Sequence, residues 1–256
     1  MTKRFVGRTA LVTGAGHGIG RQIALDFALE GARVGVNDVA SERANLVADE
    51  IAAAGGEALA LAGDIRSADQ VDQMAAALAC CFDAPDILVN NAGIYPNSLI
   101  VDMTEEEWDR VWDINVKGMF LVSRAVLRNM IGTKTGGKII NMSSGAALRA
   151  RVGASHYCAS KAAISMFTQV LALEAAEHNI QVNAVAPGLI EVPDWDLTPE
   201  YIDALVGMTP RGRIGQPADV SAMVRYLASD DADFITGAVM LVDGGSSAGQ
   251  NLPLSG

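Results

Sequence analysis

Seven short apolar segments, each of strand length, are spaced along the chain and separated by longer segments in which apolar residues recur with helical spacing. The seven segments are 8–13, 32–37, 57–62, 86–90, 138–142, 180–185 and 238–242. Strands that alternate with helices are joined by right-handed crossovers, which makes the strands parallel and places helices on both faces of one sheet. The sequence therefore predicts an α/β fold with a doubly wound parallel sheet of about seven strands, in a single domain spanning 1–256.

The charge and cysteine content exclude several classes of protein. The chain carries 19 basic and 30 acidic residues, a net charge of −11, which disfavours nucleic acid and anionic membranes as partners. Cys80 and Cys81 are adjacent and Cys158 is isolated, so the cysteines fit neither a disulfide framework nor a metal site. The first residues lack the apolar region of a secretory signal, and no segment is long and apolar enough to span a membrane. We therefore expect a cytoplasmic protein without a metal ion.

Segment 189–215 interrupts the alternation of strands and helices. It contains three of the eight prolines and is long for a connection in a compact domain. Such insertions often serve as lids or binding loops, so we expect this segment, with Trp195, Tyr201 and Met208, to contribute to a substrate pocket. Residues 246–256 form a C-terminal tail after the last predicted strand.

Four glycines lie in the sequence TGAGHGIG at 13–20, between the first predicted strand and the first predicted helix. The first strand-to-helix turn of a doubly wound sheet faces the ligand crevice, and glycine there allows a pyrophosphate to approach the backbone N–H groups. Gly14, Gly18 and Gly20 give the pattern T-G-x-x-x-G-x-G, because Ile19 stands where the common dinucleotide fingerprint has glycine. The spacing predicts a Rossmann-type nucleotide site, with a simple tight turn as the alternative.

Asp38 ends the second predicted strand, where an acidic residue commonly accepts a hydrogen bond from the adenosine ribose 2′-hydroxyl. Such a bond is worth roughly 1.5–3 kcal/mol and a 2′-phosphate would be repelled, so NAD is expected over NADP by about 10-fold or more. Alternatively, Asp38 caps the helix that opens near Ser41. His17 is either a phosphate or ribose contact or a solvated loop residue.

Tyr157 and Lys161 are four residues apart at the start of a predicted helix, so they share one face. A phenol acts as a base near neutral pH only if its pKa falls by about three units, which corresponds to about 4 kcal/mol. A cation about 4 Å away supplies that energy at an effective dielectric near 20 but only about a quarter of it in bulk water. The pair therefore requires a partly closed cleft, and the alternative is a solvated helix face.

These features occur together with NNAG at 90–93, Asn115, Ser144 and Pro187-Gly188, in the order and approximate spacing of the short-chain dehydrogenase/reductase family. The chain resembles this family over about residues 5–245. The resemblance implies that Tyr157 is the general acid/base, that Lys161 lowers its pKa and holds the nicotinamide ribose, and that Asn115 anchors a water. Ser144 rather than Ser143 would orient the substrate oxygen, because the family's serine lies thirteen residues before its tyrosine. Asn90 is interpreted as structural.

The resemblance also implies a set of cofactor contacts. Asp64 and Ile65 would bracket the adenine, Asn91 to Gly93 would pass under the adenosine ribose, and the backbone of Ile190 would meet the carboxamide. Many members have threonine five residues after the proline of the Pro-Gly pair, whereas this chain has Val192. The complete expected set is Gly14, His17, Gly18, Ile19, Gly20, Asp38, Asp64, Ile65, Asn91, Ala92, Gly93, Tyr157, Lys161, Pro187, Gly188 and Ile190.

The sequence favours an NAD-dependent dehydrogenase of a secondary alcohol, such as a sugar, polyol or hydroxy acid, assembled as the homotetramer that the family suggests. Two alternatives remain: an NADPH-linked 3-oxoacyl-carrier reductase, which Asp38 disfavours, and a catalytically silent NAD-binding regulator. Arg149 and Arg151 are the only basic residues between Ser144 and Tyr157. They either clamp an anionic substrate or face solvent or another subunit.

Overall fold

The structure is a computed structural model that describes residues 3–134, 136–192 and 198–249. Its centre is a seven-stranded sheet with the strand order β3-β2-β1-β4-β5-β6-β7, in which every neighbouring pair is parallel. The strands are β1 (Thr9–Val12), β2 (Arg33–Asp38), β3 (Glu57–Ala62), β4 (Ile87–Asn90), β5 (Gly137–Met142), β6 (Ile180–Pro187) and β7 (Val239–Val242). All seven coincide with the predicted segments, which confirms the doubly wound parallel sheet.

Helices cover both faces of the sheet, as predicted. The described helices are α1 (Gly18–Leu29), α2 (Ser41–Ala53), α3 (Ala68–Phe82), α4 (Glu105–Trp112), α5 (Met119–Thr133), α6 (Ser155–Ala175), α7 (Pro199–Gly207) and α8 (Pro217–Ala228). Helices α1, α2 and α8 pack on one face and α3, α5 and α6 on the other. Successive residues of β1 point to opposite faces, so that Ala10 and Val12 belong to the first core and Leu11 to the second. Two buried faces explain why the strands are almost uniformly apolar.

The position of the ligand crevice follows from the strand order. Strand β1 lies between β2 and β4, so the order along the sheet reverses there. In open parallel sheets the crevice at such a reversal opens beyond the carboxyl ends of the strands. The glycine segment after β1 and the NNAG segment at the end of β4 therefore meet at one edge of the sheet.

A π-helical turn, Asp113–Gly118, joins α4 to α5 and contains the buried Asn115. The turn needs a glycine at its end, because a Cβ on Gly118 would lie 2.6 Å from Cδ1 of Ile65. Insertions of this kind re-aim side chains inside a helix and are frequent at functional sites. This turn directs the side chain of Asn115 toward Gly93 and Ile94.

The two ends of the 189–215 insertion are bonded to each other. The N–H of Glu191 donates to the carbonyl of Gly215 at 2.8 Å, and the N–H of Gly215 donates to Leu189 at 3.0 Å. Helix α7 lies between these ends. Residues 193–197, which include Trp195, lie outside the described residues, as do the side chain of Tyr201 and the end of the tail from residue 250. In the part of the chain that the structure covers, none of the helices has the length and apolarity needed to cross a bilayer.

Candidate active site

The glycine segment after β1 is held against the neighbouring strand by close backbone packing. Gly14 and Gly18 have φ angles of +60° and +54°, a region that L side chains rarely adopt. A Cβ on Gly14 would lie 2.8 Å from Cα of Ala92, and one on Gly20 would lie 2.2 Å from the carbonyl oxygen of Gly14. These glycines are therefore required by the fold of the loop itself, in addition to any bound phosphate.

The N-terminus of α1 offers uncapped N–H groups. His17 occupies the N-cap position but makes no capping hydrogen bond, and no acidic side chain lies in the first turn. The first N–H groups of a helix have no partner within the helix and carry partial positive charge. These donors, next to bare backbone, fit the negative charge of a dinucleotide pyrophosphate.

Asp38 lies beneath this loop and is 5% exposed. Its Oδ2 accepts a hydrogen bond from the N–H of Gly16 at 3.1 Å, and its Oδ1 accepts one from Ala40 at 3.0 Å. Nδ1 of His17 lies 3.8 Å from Oδ2. Burial acts to raise the pKa of Asp38, but the interaction with His17 and the hydrogen bonds from Ala40 and Gly16 outweigh it, so the pKa is lowered and the carboxylate is charged at neutral pH.

The contacts of Asp38 agree with both of its interpretations, as a ribose contact at the glycine loop and as a support for the start of α2. The bond to Ala40 supports the turn that precedes α2, while the bond to Gly16 fixes the carboxylate at the edge of the glycine loop. A Cβ on Gly16 would lie 2.6 Å from Oδ2 of Asp38 and 2.6 Å from Cβ of Arg43. Arg43 is thus a basic residue beside the loop that sequence reasoning missed, because it lies beyond the end of β2, in the first turn of α2.

The NNAG segment connects the glycine loop to the reactive residues. The side chain of Asn91 donates to the carbonyls of Thr13 and Gly14, each at 3.0 Å. The hydroxyl oxygen of Thr13 accepts from the N–H groups of Asn91 and Ala92 at 3.0 and 3.1 Å. At the other end, a Cβ on Gly93 would lie 3.6 Å from Nζ of Lys161. Asn91 thus fixes the loop through its side chain, and Thr13 is a contributor that the sequence motif contains but whose role was not predicted.

Asn90 carries the structural role that the sequence indicated. Its Nδ2 donates to Oγ of Ser123 and to Oδ1 of Asn141, both at 2.8 Å, and Asn141 in turn donates to Thr168 at 2.9 Å. These buried bonds tie β4 and β5 to the helices of one face.

Asp64 and Ile65 follow β3 at the same edge of the sheet. The carboxylate of Asp64 pairs with Arg66 at 2.6 Å, and that bond holds its pKa below the ordinary value. Ile65 is buried, with its side chain packed against the position of Gly118. The side chain of Ile65 thus points into the core.

Pro187 and Gly188 end β6 beside the crevice. A Cβ on Gly188 would lie 2.7 Å from Cα of Asp243, so the glycine permits close approach of the chain after β7. Ile190 forms a parallel bridge with Gly215, which directs its own N–H and C=O to the opposite side. Cγ1 of Val192 lies 3.6 Å from the position of a Cβ on Gly18, so the residue in place of the family's threonine does reach the glycine loop.

Tyr157, Lys161 and Ser144 come together at the start of α6. Nζ of Lys161 lies 5.7 Å from the ring centroid of Tyr157 and donates to the carbonyl of Met142 at 2.7 Å. Ser144 caps a short 3₁₀ turn, with Oγ accepting from Ala146, and its side chain acts to lower the pKa of Tyr157. Ser143, by contrast, is buried and donates to the carbonyl of Lys161 at 3.0 Å. The two serines thus have different surroundings, with Ser143 bound inside the protein and Ser144 acting on Tyr157.

Burial and the neighbouring groups shift the pKa of Tyr157 in opposite directions. Burial raises the pKa of the phenol above its ordinary value, while the hydrogen bond from Ser144 and the charge of Arg151 act to lower it. Burial also lowers the pKa of Lys161 to about 8. The ammonium of Lys161 is bound to the carbonyl of Met142, and Arg151 is a cation whose charge acts to lower the phenol pKa.

Asn115 is 1% exposed, and its side chain is fully engaged. Oδ1 accepts from the N–H of Ile94 at 2.9 Å, and Nδ2 donates to the carbonyl of Ile94 at 3.0 Å and to Oγ of Ser160 at 3.1 Å. The hydroxyl of Ser160 donates to the carbonyl of Tyr157 at 2.7 Å. Asn115 therefore orients the NNAG segment and, through Ser160, the first turn of α6. Ser160 lies three residues after Tyr157, and this helical spacing could have identified it.

The two arginines before α6 have different contacts. The guanidinium of Arg149 donates to the carbonyl of Ser246 in the C-terminal segment. The guanidinium carbon of Arg151 lies 5.7 Å from the ring centroid of Tyr157. The ring of Tyr95 makes an edge contact with the ring of Tyr157, with centroids 6.3 Å apart.

Known proteins share this arrangement over nearly the whole chain. A family model described as enoyl-(acyl carrier protein) reductase matches residues 14–247. A 3-oxoacyl-[acyl-carrier-protein] reductase from Synechocystis is 42% identical over 242 residues, 93% of this chain and 96% of that protein. Galactitol 2-dehydrogenase from Agrobacterium fabrum is 39% identical over 255 residues, covering 95% and 98%. A short-chain type dehydrogenase/reductase structure from Mycobacterium marinum superposes with a TM-score of 0.92 at 37% identity, covering 96% and 98%.

Proposed function

The chain belongs to the short-chain dehydrogenase/reductase family and is an oxidoreductase acting on CH–OH groups with a nicotinamide cofactor, and we propose that it is an NAD-dependent dehydrogenase of a secondary alcohol. The substrate class is a sugar, polyol or hydroxy acid. The observation that carries the proposal is the buried, charged Asp38 at the glycine loop, combined with the contact of Ser144 with Tyr157.

Asp38 supports NAD over NADP. Its carboxylate is held by the N–H groups of Gly16 and Ala40, so it cannot swing away from an incoming 2′-phosphate without losing both bonds. The glycine loop, Gly188 and the backbone of Ile190 would hold the cofactor along the crevice, and Lys161 would meet its second ribose. When bound, the cofactor supplies the hydride acceptor for oxidation or the hydride donor for reduction.

Tyr157 acts as the general base in oxidation. The phenolate takes the hydroxyl proton while the carbinol C–H leaves as hydride, which yields a ketone and a neutral phenol. Ser144 holds the reacting oxygen, and the charges of Arg151 and Lys161 stabilise the phenolate. Because burial raises the pKa of Tyr157, we expect oxidation to become faster as the pH rises above neutrality.

A 3-oxoacyl-carrier reductase is the second candidate. It is supported by the identity of 42% with the Synechocystis reductase and by Arg43, whose Cβ lies beside Gly16 and whose side chain could meet a 2′-phosphate. A catalytically silent regulator is a weaker candidate, since Ser144, Tyr157 and Lys161 lie together.

We also propose a homotetramer of single-domain subunits in the cytoplasm, each with the 189–215 segment as substrate loop. Two separate apolar surfaces support the assembly, as two isologous contacts build a tetramer. One surface has Phe120 of α5 with Met166, Val170 and Leu173 of α6, the last 82% exposed. Exposed apolar side chains also occur near β7, the edge strand of the sheet: Phe234, five residues before the strand, and Leu241 within it. Sizing near the chain mass of 26.7 kDa would contradict the assembly.

Absorbance of the reduced nicotinamide tests the proposal directly. The enzyme is assayed with NAD or NADP against polyols, sugars, hydroxy acids and 3-oxoacyl thioesters. Turnover of an alcohol with NAD supports it, whereas turnover with NADP alone, or of thioesters alone, supports the reductase. Absence of turnover with every cofactor and substrate would favour the silent regulator.

A further inference from the structure

Arg151 is an exposed arginine that is nevertheless held in place at the reacting phenol. Its guanidinium carbon lies 5.7 Å from the ring centroid of Tyr157, within the range of a cation–π contact. Its Nη2 donates to Oδ1 of Asn97 at 3.1 Å, and the N–H of Ser98 donates to the carbonyl of Gly153 at 2.8 Å. Two segments, after β4 and before α6, thus fix the guanidinium beside Tyr157.

Arg151 has no carboxylate partner among the described residues, although the chain contains 30 acidic residues. Several other arginines do pair with a carboxylate: Arg4, Arg8, Arg21, Arg33, Arg66, Arg213 and Arg225. A guanidinium presents a planar set of donors that matches a carboxylate. At Arg151 these donors lie next to the reacting group and are not all used by the protein.

The charged and titratable groups around Arg151 leave its charge uncompensated. Glu107 of α4 is the acidic residue whose charge acts on the neighbouring His156, but its Oε2 already accepts from the N–H of Thr104 and the hydroxyl of Ser98. His156 is fully buried, and burial lowers its pKa, so it is neutral at pH 7. Arg151 is therefore the cation that an anionic substrate would meet at this edge of Tyr157.

We propose that Arg151 is a specificity-determining residue that binds a carboxylate of the substrate, so that the enzyme prefers hydroxy acids to neutral polyols. The proposal rests on the proposed function and names the substrate class of the same site. The closeness of the guanidinium to the phenol places the carboxylate only a few bonds from the carbinol carbon. A carrier-bound thioester has a neutral carbonyl there, and the phosphate of its carrier arm lies too many bonds away to reach Arg151.

Matched substrate pairs test the proposal. D-Gluconate and D-glucitol differ at one end, where the first has a carboxylate and the second a hydroxymethyl group, and 3-hydroxybutyrate and 1,3-butanediol form a shorter pair. We expect Arg151→Gln to lower kcat/KM for the carboxylate of a pair by about 10- to 100-fold, the worth of a charge-assisted bond, mainly through KM. The neutral member should change by less than about 3-fold, and Arg151→Lys should restore part of the loss.

Arg149→Gln is the matched control, because Arg149 lies two residues away and its guanidinium is bound to the carbonyl of Ser246. The proposal would be overturned if Arg149→Gln and Arg151→Gln lost equal amounts of kcat/KM for the carboxylate substrate. It would also be overturned if Arg151→Gln lost equal amounts for the carboxylate and the neutral member of a pair. Loss of the Arg151 charge should also raise the pKa of Tyr157 and shift the acidic limb of kcat/KM to higher pH for both members of a pair, so the pairs are compared at a pH above this limb. Because acid and alcohol share that shift, the difference between their losses is what identifies binding of the carboxylate.

Calorimetric titration separates this proposal from the proposed function. D-Gluconate is titrated into the wild-type enzyme and Arg151→Gln in the presence of NADH, with D-glucitol as the neutral ligand. Gluconate binding that weakens about 10-fold or more in the variant supports the role of Arg151, even if no alcohol is turned over and the proposed function fails. Equal gluconate affinity in both proteins, or no binding to either, overturns the role of Arg151 while leaving alcohol oxidation intact.

Discussion

The cofactor side and the substrate side of the cleft are built on the same sheet but differ in how closely the chain packs. At the loop after β1, a Cβ on Gly14, Gly16 or Gly20 would lie 2.2–2.8 Å from other atoms. On the substrate side, a Cβ on Gly145 would lie 3.6 Å from its nearest neighbour, and one on Gly207 would have no neighbour within 4 Å. The substrate side also exposes large apolar side chains, such as those of Leu148 and Val152.

This difference explains how one fold serves many substrates. Backbone contacts fix the cofactor side, so few side-chain changes there are compatible with folding. The substrate side has room for other side chains, so its specificity can change without loss of the sheet. Tyr157 and Lys161 lie between the two sides, where a closely packed sheet meets open loops.

Tyr157 lies where the cofactor side meets the substrate side, and its replacement should have the largest effect on activity. Tyr157→Phe removes the group that takes the proton, so kcat should fall by about 10²- to 10⁴-fold, while NADH binding measured by fluorescence stays within a few-fold. Tyr95→Phe is the control, since its ring touches Tyr157 but its hydroxyl has no proposed role. Retained turnover in Tyr157→Phe would show that the chemistry lies elsewhere in the cleft.

Glycine-to-alanine substitutions on the two sides of the cleft should change the free energy of unfolding in opposite directions. Gly20→Ala forces a Cβ against the carbonyl of Gly14, so we expect a loss of about 3 kcal/mol or more in the free energy of unfolding, with weaker cofactor binding. Gly207→Ala, in the last turn of α7, should be neutral or stabilise by up to about 1 kcal/mol. Urea unfolding measures both. If Gly20→Ala leaves the free energy of unfolding unchanged, the chain on the cofactor side is not packed more closely than on the substrate side.

The buried ammonium of Lys161 should make stability depend on pH. Its pKa is about 8 in the folded protein against an ordinary value of 10.5, so the unfolded chain binds more protons between these values. The free energy of unfolding of the wild type should therefore rise by roughly 2–3 kcal/mol relative to Lys161→Met as pH increases through this window. Parallel stability curves for the two proteins would show that Lys161 is better solvated than its position implies.

Replacement of Asp38 should change cofactor preference without affecting the chemical step. In Asp38→Ser, the ratio of kcat/KM for NAD to that for NADP should fall by about 10- to 100-fold, because the repulsion of a 2′-phosphate and a charge-assisted bond are both lost. Asp69→Ser, in the first turn of α3, is the control. An unchanged ratio would assign cofactor choice to another residue, with Arg43 the first to test.

The smallest effect is expected at Val192, which lies at the boundary between the cofactor side and the substrate side of the cleft. Val192→Thr places a hydroxyl where many family members have one, and KM for the cofactor should fall by about 2- to 10-fold, the worth of one neutral hydrogen bond. Val152→Thr, at an exposed position on the substrate side, should leave that KM unchanged. A rise in KM for Val192→Thr would indicate that the contact with the position of Gly18 is an apolar one.

The sheet and those elements of the site that are local in the chain were predictable from the amino-acid sequence. The seven strands stood out because buried parallel strands are apolar on both faces, and the glycine pattern marked the turn after β1. The spacing of Tyr157 and Lys161 placed them on one face of a helix, since residues four apart lie one turn from each other. The choice of Ser144 over Ser143 came from the family resemblance.

Contacts between residues far apart in the chain emerged only in the folded molecule. Asn91 bonds the glycine loop across 77 residues, and Asn115 reaches Ser160 across 45. Folding also turned Lys161 toward Met142 and placed Arg151, rather than Arg149, beside Tyr157. Local spacing fixes which residues share a strand or helix, but the direction of a long side chain depends on the neighbours that packing brings to it, and these are not encoded in the spacing.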